Sequence, residues 1–183
     1  MYNKTEVIAE VKTRSPFGYT SEKTWGELFQ LADTIGDVIS VHTDSRWGGS
    51  FELIKKARGL TKKPILAKGI HGDDSLVRQA VAAGADFVLV VGRIPAIHVE
   101  KCWIEPTTLS ELEAVPPHFR VLWNSRDLAD GRLKKETFEE ARALRVGWLC
   151  QASNIKTRAD IKEGADAVLV GTHLFEFAVS LRE

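Results

Sequence analysis

The sequence predicts an α/β protein in which eight parallel strands, with helices between them, close into a (β/α)8 barrel of the TIM type. Three observations predict it. Short apolar, β-rich runs alternate with amphipathic segments along the chain. The runs are continuously apolar rather than alternating, as in parallel strands covered on both faces. The pattern Gly-Ala-Asp-x-Val-Leu-Val occurs twice, in "AGADFVLVVG" (Ala83–Gly92) and "EGADAVLVG" (Glu163–Gly171). Each time a helix stops at a glycine and a buried strand follows, the mark of a strand-helix unit used repeatedly. An open doubly wound sheet is the runner-up, but no Gly-x-Gly-x-x-Gly follows the first strand to support it.

The elements follow in order. The first strand is Val7–Lys12 ("VIAEVK"), with Glu10 and Lys12 on one face and Val11 on the other. A helix over Thr20–Gly36 leads to the second strand, Val38–Asp44. "WGGS" (Trp47–Ser50) reads as a turn, with Ser50 capping a helix over Phe51–Leu60. Pro64–Lys68 is the third strand. The helix Asp73–Gly84 has an Asp N-cap, an apolar stripe (Leu76, Val77, Ala80, Val81) and a glycine stop. Phe87–Gly92 is the fourth strand and Cys102–Glu105 the fifth. Only "RIPAIHVEK" separates them, so the fourth helix is predicted to be a single turn or missing. Leu109–Val115 (helix), Arg120–Asn124 (strand), Thr137–Leu144 (helix), Val146–Gln151 (strand), Thr157–Glu163 (helix), Ala167–Gly171 (strand) and Leu174–Leu181 (helix) complete the series. Eight units in 183 residues leave about 23 residues each, compact against the ~200 or more usual for the fold.

The whole chain, 1–183, reads as one domain of this kind, with no helix ahead of the barrel. Lys plus Arg and Asp plus Glu are 25 each, so the formal net charge is zero. That argues against nucleic-acid and membrane-surface partners, which favour a basic excess. Cys102 and Cys150 lack metal-ligand or redox spacing and read as buried thiols in a reducing cytosol. "MYNKTEVIAE" has no apolar signal core and no apolar run reaches membrane-spanning length, so the expected compartment is the cytoplasm. Missing helix cover would expose an apolar patch, and a second copy of the chain covering it predicts a homodimer.

In such barrels chemistry sits at the C-terminal ends of the strands. Polar residues there are Glu10 and Lys12, Lys68, Glu105, Asn124 with Ser125 and Arg126, and Gln151 with Ser153. Each alone could be a solvated rim residue. Together their desolvation is costly unless the cluster is used. Crowded opposite charges shift one another's pKa, which can make a lysine an acid and a glutamate a base near neutrality. The last two strands are followed by helix starts, where free N–H groups favour a phosphate, and Gly171 in "VLVGTHLF" allows close approach. His42 and Asp44 could touch a metal, but no third ligand is evident and a hydrogen-bonded histidine fits better. The lysine pairs at 55–56, 62–63 and 134–135 read as solvated faces. "FEFAVSLRE" reads as a closing helix with core aromatics.

"IAEVKTRSP" resembles the first strand of indole-3-glycerol phosphate synthases, whose pattern is I-A-E-x-K-x-x-S-P. The likeness continues in order through "ISVHTDSRWGGS", "PILAKG", "AAGADFVLV", "NSRDL", "IKTRADI" and "GADAVLVGTHL". The resemblance implies a lyase of tryptophan biosynthesis. Its reaction converts carboxyphenylamino-deoxyribulose phosphate to indole glycerol phosphate by ring closure, decarboxylation and dehydration, with no cofactor and no metal. By position it makes Lys68 the general acid and Glu105 the general base. Glu10 and Lys12 would hold and polarise the substrate, and Asn124 would orient it. Ser15, Arg126, Ser153, Gly171 and Thr172 would line the substrate and phosphate end. The departures are equally plain. The family's A-E-S-G-I after strand seven is here Gln151-Ala152-Ser153-Asn154-Ile155, and the Asp-Phe after the lysine is Gly69-Ile70. The family's N-terminal helical extension has no counterpart. A compact synthase or paralogue is therefore weighed against a non-catalytic descendant binding a phosphorylated ligand. A third reading is a class I aldolase using Lys68 as a Schiff-base amine.

Overall fold

A computed structural model describes residues 5–182. Met1–Lys4 and Glu183, which belong to the predicted domain range and to the N-terminal stretch read for a signal core, lie outside the described residues. Eight parallel strands close into a barrel in chain order, β1 to β8, with β8 pairing back onto β1. They are β1 Glu6–Val11, β2 Val38–His42, β3 Ile65–Lys68, β4 Phe87–Val91, β5 Cys102–Glu105, β6 Arg120–Asn124, β7 Leu149–Ala152 and β8 Ala167–Val170. The helices are α1 Trp25–Ile35, α2 Phe51–Leu60, α3 Asp74–Ala82, α4 Leu109–Ala114, α5 Phe138–Leu144 and α6 Leu174–Ser180. The predicted (β/α)8 barrel is the fold observed.

Side chains alternate between two apolar layers because a strand has a period of two. Val7, Ala9 and Val11 of β1 pack outward with α1 residues Leu28, Phe29 and Ala32. Ile8 joins the barrel interior with Val38, Leu66, Leu89, Trp103, Leu122, Cys150 and Leu169. Both cysteines are free and buried. The floor is closed by Phe87, Trp103 and Trp148, with the Arg120 guanidinium over their rings at 5.7, 5.5 and 4.8 Å.

The repeated Gly-Ala-Asp pattern has a mechanical reason. Asp86 accepts the Ile65 N–H at 2.8 Å and pairs with Arg58 at 2.9 Å. Asp166 accepts the Leu149 N–H at 2.8 Å and pairs with Arg142 at 3.1 Å. The arginine stems lie on Gly84 (φ +106°) and Gly164 (φ +80°), left-handed positions that suit glycine. Each unit thus ties the start of one strand to the start of the strand before it.

Several expected helices are shorter. The stretch predicted as helix from Thr20 begins its helix only at Trp25, where Thr24 and Glu27 form a reciprocal capping box. Residues 13–23 instead form a loop pinned by an Arg14–Thr20 bridge. Thr157–Glu163, predicted helical, holds only a 3₁₀ turn over Arg158–Asp160. Thr157 and Asp160 cap each other and use up the segment before Gly164. Between β4 and β5 a 3₁₀ turn, Val99–Lys101, replaces a helix, as the short spacing predicts. Ile94 and Val99 are left 45% and 40% exposed there.

Trp103 is 2% exposed in the barrel interior and packs in tilted contact with the Phe87 and Trp148 rings. Replacing Trp103 by Ala is expected to cost about 3–5 kcal/mol, measured as a lower denaturant midpoint in equilibrium unfolding.

Candidate active site

The polar mouth follows from the same alternation. Two residues beyond interior Ile8 comes Glu10, beyond Leu66 comes Lys68, beyond Trp103 comes Glu105, beyond Leu122 comes Asn124, and beyond Leu169 comes Gly171. Each strand therefore adds one inward residue above its apolar one, and the upper ring is where the charges lie. Gln151 obeys the same rule in the opposite sense. It lies one residue out of phase and faces outward, its amide donating to Asp160 O and accepting from Lys162 N. That corrects its expected place at the mouth.

Glu10 is the centre, only 2% exposed. Oε1 lies 2.9 Å from His42 Nε2 and 3.0 Å from Lys68 Nζ, and Oε2 lies 3.4 Å from Lys12 Nζ. Burial by itself would raise the Glu10 pKa, but Lys68, Lys12 and His42 hold it well below the usual carboxylate range. Gly171 makes the packing possible, because a Cβ there would collide with the Glu10 carboxylate. Across the mouth Glu105 accepts from Asn124 Nδ2 at 2.9 Å. Asn124 Oδ1 accepts from Ser153 Oγ at 2.7 Å and from the Arg126 N–H at 3.0 Å. Burial pushes the Glu105 pKa up, with Lys68 only partly opposing.

The lysines divide differently from expectation. Burial lowers the Lys68 pKa, but Glu10 and Glu105 more than offset it and the net shift is upward. Lys12 shifts downward: burial and repulsion from Lys68 and Arg126 outweigh Glu10. The upward shift favours the ammonium form of Lys68, whereas a Schiff-base role requires a neutral amine.

Nine of the ten site residues expected from sequence line one cavity of about 230 Å³: Glu10, Lys12, Ser15, Lys68, Asn124, Arg126, Ser153, Gly171 and Thr172. The tenth, Glu105, lines an adjoining cavity of about 20 Å³, to which Lys68 also contributes. Ser15 Oγ accepts the Phe17 N–H at 3.3 Å in the loop after β1. Arg126 donates to Gly131 O and, at 2.9 Å, to Asn154 Oδ1. Ser153 and Asn154 both have left-handed backbones (φ +75° and +56°). A Cβ at Gly69 would press on the Thr43 hydroxyl and the His71 ring, which accounts for glycine at that position.

Sequence reasoning missed three contributors. Tyr19 comes from the loop after β1 and lies under Lys12, 5.4 Å from Nζ to the ring centroid. Trp47, read as part of a turn, is buried and stacks on His42. Lys134 is not on a solvated face: Nζ lies 4.7 Å from the Trp123 ring, and burial lowers its pKa against the pull of Glu105. Lys63 likewise turns inward, donating to Asp33 O and Gly36 O. No cue in sequence spacing marks these lysines as different from Lys55, which is solvated beside Glu52. His42 is hydrogen-bonded, and among the described residues no cluster of His, Cys, Asp or Glu is arranged to hold a metal. No described helix is long and apolar enough to cross a membrane.

Glu10→Gln would leave two largely shielded ammonium groups without their counter-ion. The expected loss of folding stability at pH 7 is about 3–5 kcal/mol. Because Glu10 has a depressed folded pKa, its contribution is complete above the unfolded value of about 4.3 and fades as pH falls below it. Unfolding midpoints of the two proteins should therefore differ at pH 6 to 8 and converge as pH is lowered below about 4.

The family described as "Indole-3-glycerol phosphate synthase" matches residues 1–100. An indole-3-glycerol phosphate synthase of Leptospira interrogans is 29% identical, over 93% of this chain and 77% of its own length. One from Kineococcus radiotolerans is 30% identical over 92% of this chain and 70% of its own. Among solved structures, a 3-hexulose-6-phosphate synthase superposes with a TM-score of 0.68 at 15% identity, covering 96% of this chain and 99% of that one. That likeness is one of fold.

Proposed function

The chain belongs to the indole-3-glycerol phosphate synthase family, and from that premise we propose that its mouth carries the family's carbon–carbon lyase chemistry in tryptophan biosynthesis. The reaction is ring closure of carboxyphenylamino-deoxyribulose phosphate with loss of carbon dioxide and water, or the same acid–base sequence on a related phosphorylated substrate. The observation that carries the reading is Lys68 placed against Glu10 and in the field of Glu105, in one mouth with Lys12 and Asn124.

In this reading the Lys68 ammonium donates its proton to the substrate carbonyl as the new carbon–carbon bond forms. It donates again to the hydroxyl that leaves as water. Between these steps Lys68 takes a proton from solvent through the open mouth, and the two carboxylates in its field favour its return to the ammonium form. Glu105 takes the proton released from the ring carbon. Burial raises its basicity, and Asn124 holds it in one orientation. Glu10 and Lys12 position and polarise the sugar chain. Arg126, Ser15, Ser153, Gly171 and Thr172 receive the phosphate.

One pair of observations favours a second reading, a non-catalytic binder of a phosphorylated ligand. Ala152 stands where the family carries a carboxylate, and the Asn154 amide occupies one nitrogen of Arg126.

Incubation with the family substrate, followed by indole fluorescence, separates the two. The synthase reading expects product at least about 100-fold above a Lys68→Ala control. No product, with calorimetric binding of a phosphate-bearing analogue, favours the binder; neither product nor binding removes both. The rate should rise with pH as Glu105 ionises, with its midpoint above the ordinary glutamate value of about 4.3. Asn154→Gly frees Arg126 and is expected to tighten binding of the phosphate analogue by about tenfold, read by the same calorimetry.

A further inference from the structure

We infer that His42 is a positioning residue: its neutral imidazole, in the Nε2–H form, fixes the Glu10 carboxylate so that each lysine keeps one oxygen. The carboxylate anion can only accept, so the imidazole donates through Nε2 to Oε1 at 2.9 Å. Lys68 shares that oxygen at 3.0 Å, which leaves Oε2 for Lys12 at 3.4 Å. The other ring nitrogen, Nδ1, is buried with no hydrogen-bond partner. A proton there would be a buried, unsatisfied donor. It would also add a third positive charge beside Lys12 and Lys68. Both costs select the neutral ring with its proton on Nε2.

The ring has little freedom to do otherwise. His42 is 4% exposed and lies parallel to Trp47, with centroids 5.7 Å apart. Behind it Gly49 is so close that a Cβ would collide with the His42 backbone. The charged groups facing the pair are Lys12 just beyond β1, Lys68 on β3, Glu105 on β5 and Asp44 just beyond β2. Without the imidazole, Oε1 would have Lys68 alone, and the carboxylate would turn toward that nearer ammonium and away from Lys12. Glu10 is accordingly a fixed charge anchor and not a proton carrier, and proton movement falls to Lys68 and Glu105. The assignment of proton movement rests on the synthase reading; the tautomer and the anchoring do not.

Nuclear magnetic resonance of the full chain, labelled at histidine nitrogens and lysine side chains, tests it without turnover. The expected result is a neutral, Nε2-protonated His42 from pH 8 to 5.5. In His42→Leu the Lys12 titration midpoint should fall by about one pH unit, as its counter-ion moves away. In His42→Gln, whose amide keeps a donor at a similar reach, most of that fall should be recovered. An imidazolium, an Nδ1-protonated ring, an unmoved Lys12 in His42→Leu, or an equal fall in both variants would overturn the inference. If His42→Leu does not fold, the wild-type tautomer and the Lys12 midpoint in His42→Gln decide. Absence of indole product would count against the synthase reading alone.

Discussion

One buried carboxylate carries the electrostatics of the barrel mouth. Glu10 is almost fully shielded from water, and it is the counter-ion for both Lys12 and Lys68. Two ammonium groups at such depth would each lose several kcal/mol of hydration, which their attraction to Glu10 must offset. The surroundings are shaped to that demand. Gly171 leaves room for the carboxylate, and His42 supplies a donor that brings no further charge. The second carboxylate, Glu105, lies in a different balance. It has a neutral partner in Asn124, so burial dominates and its basicity rises. Two glutamates in one mouth are thus shifted in opposite directions by their partners.

The fold makes this arrangement accessible. Parallel strands deliver alternate residues to the inside, so an apolar layer ending in Ile8, Leu66, Trp103 and Leu122 is followed two residues later by Glu10, Lys68, Glu105 and Asn124. The apolar layer removes water from beneath the charges. Hydrogen bonds from Ser153 through Asn124 to Glu105 fix the far side of the mouth in one geometry.

Much of this was legible in the sequence because strand periodicity is local. "VIAEVK" places Glu10 and Lys12 on one face whatever the rest of the chain does. The strand count and the missing cover between β4 and β5 follow from spacing alone. What could not be read is set by contacts distant in sequence. Gln151 lies at a strand end like Ser153, but only the register of β7 against β8 shows that it faces outward. Lys134 looks like any paired surface lysine until Trp123 comes beneath it. The direction of the Lys68 shift depends on how closely Glu10 and Glu105 approach it, which strand order alone does not set. The segment 157–163 has a helical composition, but capping and the following glycine leave it too few residues to propagate.

The Gly-Ala-Asp units have a consequence beyond joining neighbouring strands. Asp86 and Asp166, clasped by Arg58 and Arg142, index β3 against β4 and β7 against β8 at the floor of the barrel. Alignment is therefore decided at the end of the molecule opposite the charged mouth. These clasps set strand register without the roof, where Glu10 balances its own neighbours. A scaffold whose registration and reactivity occupy opposite poles can exchange one reaction for another while its foundations stay as they are.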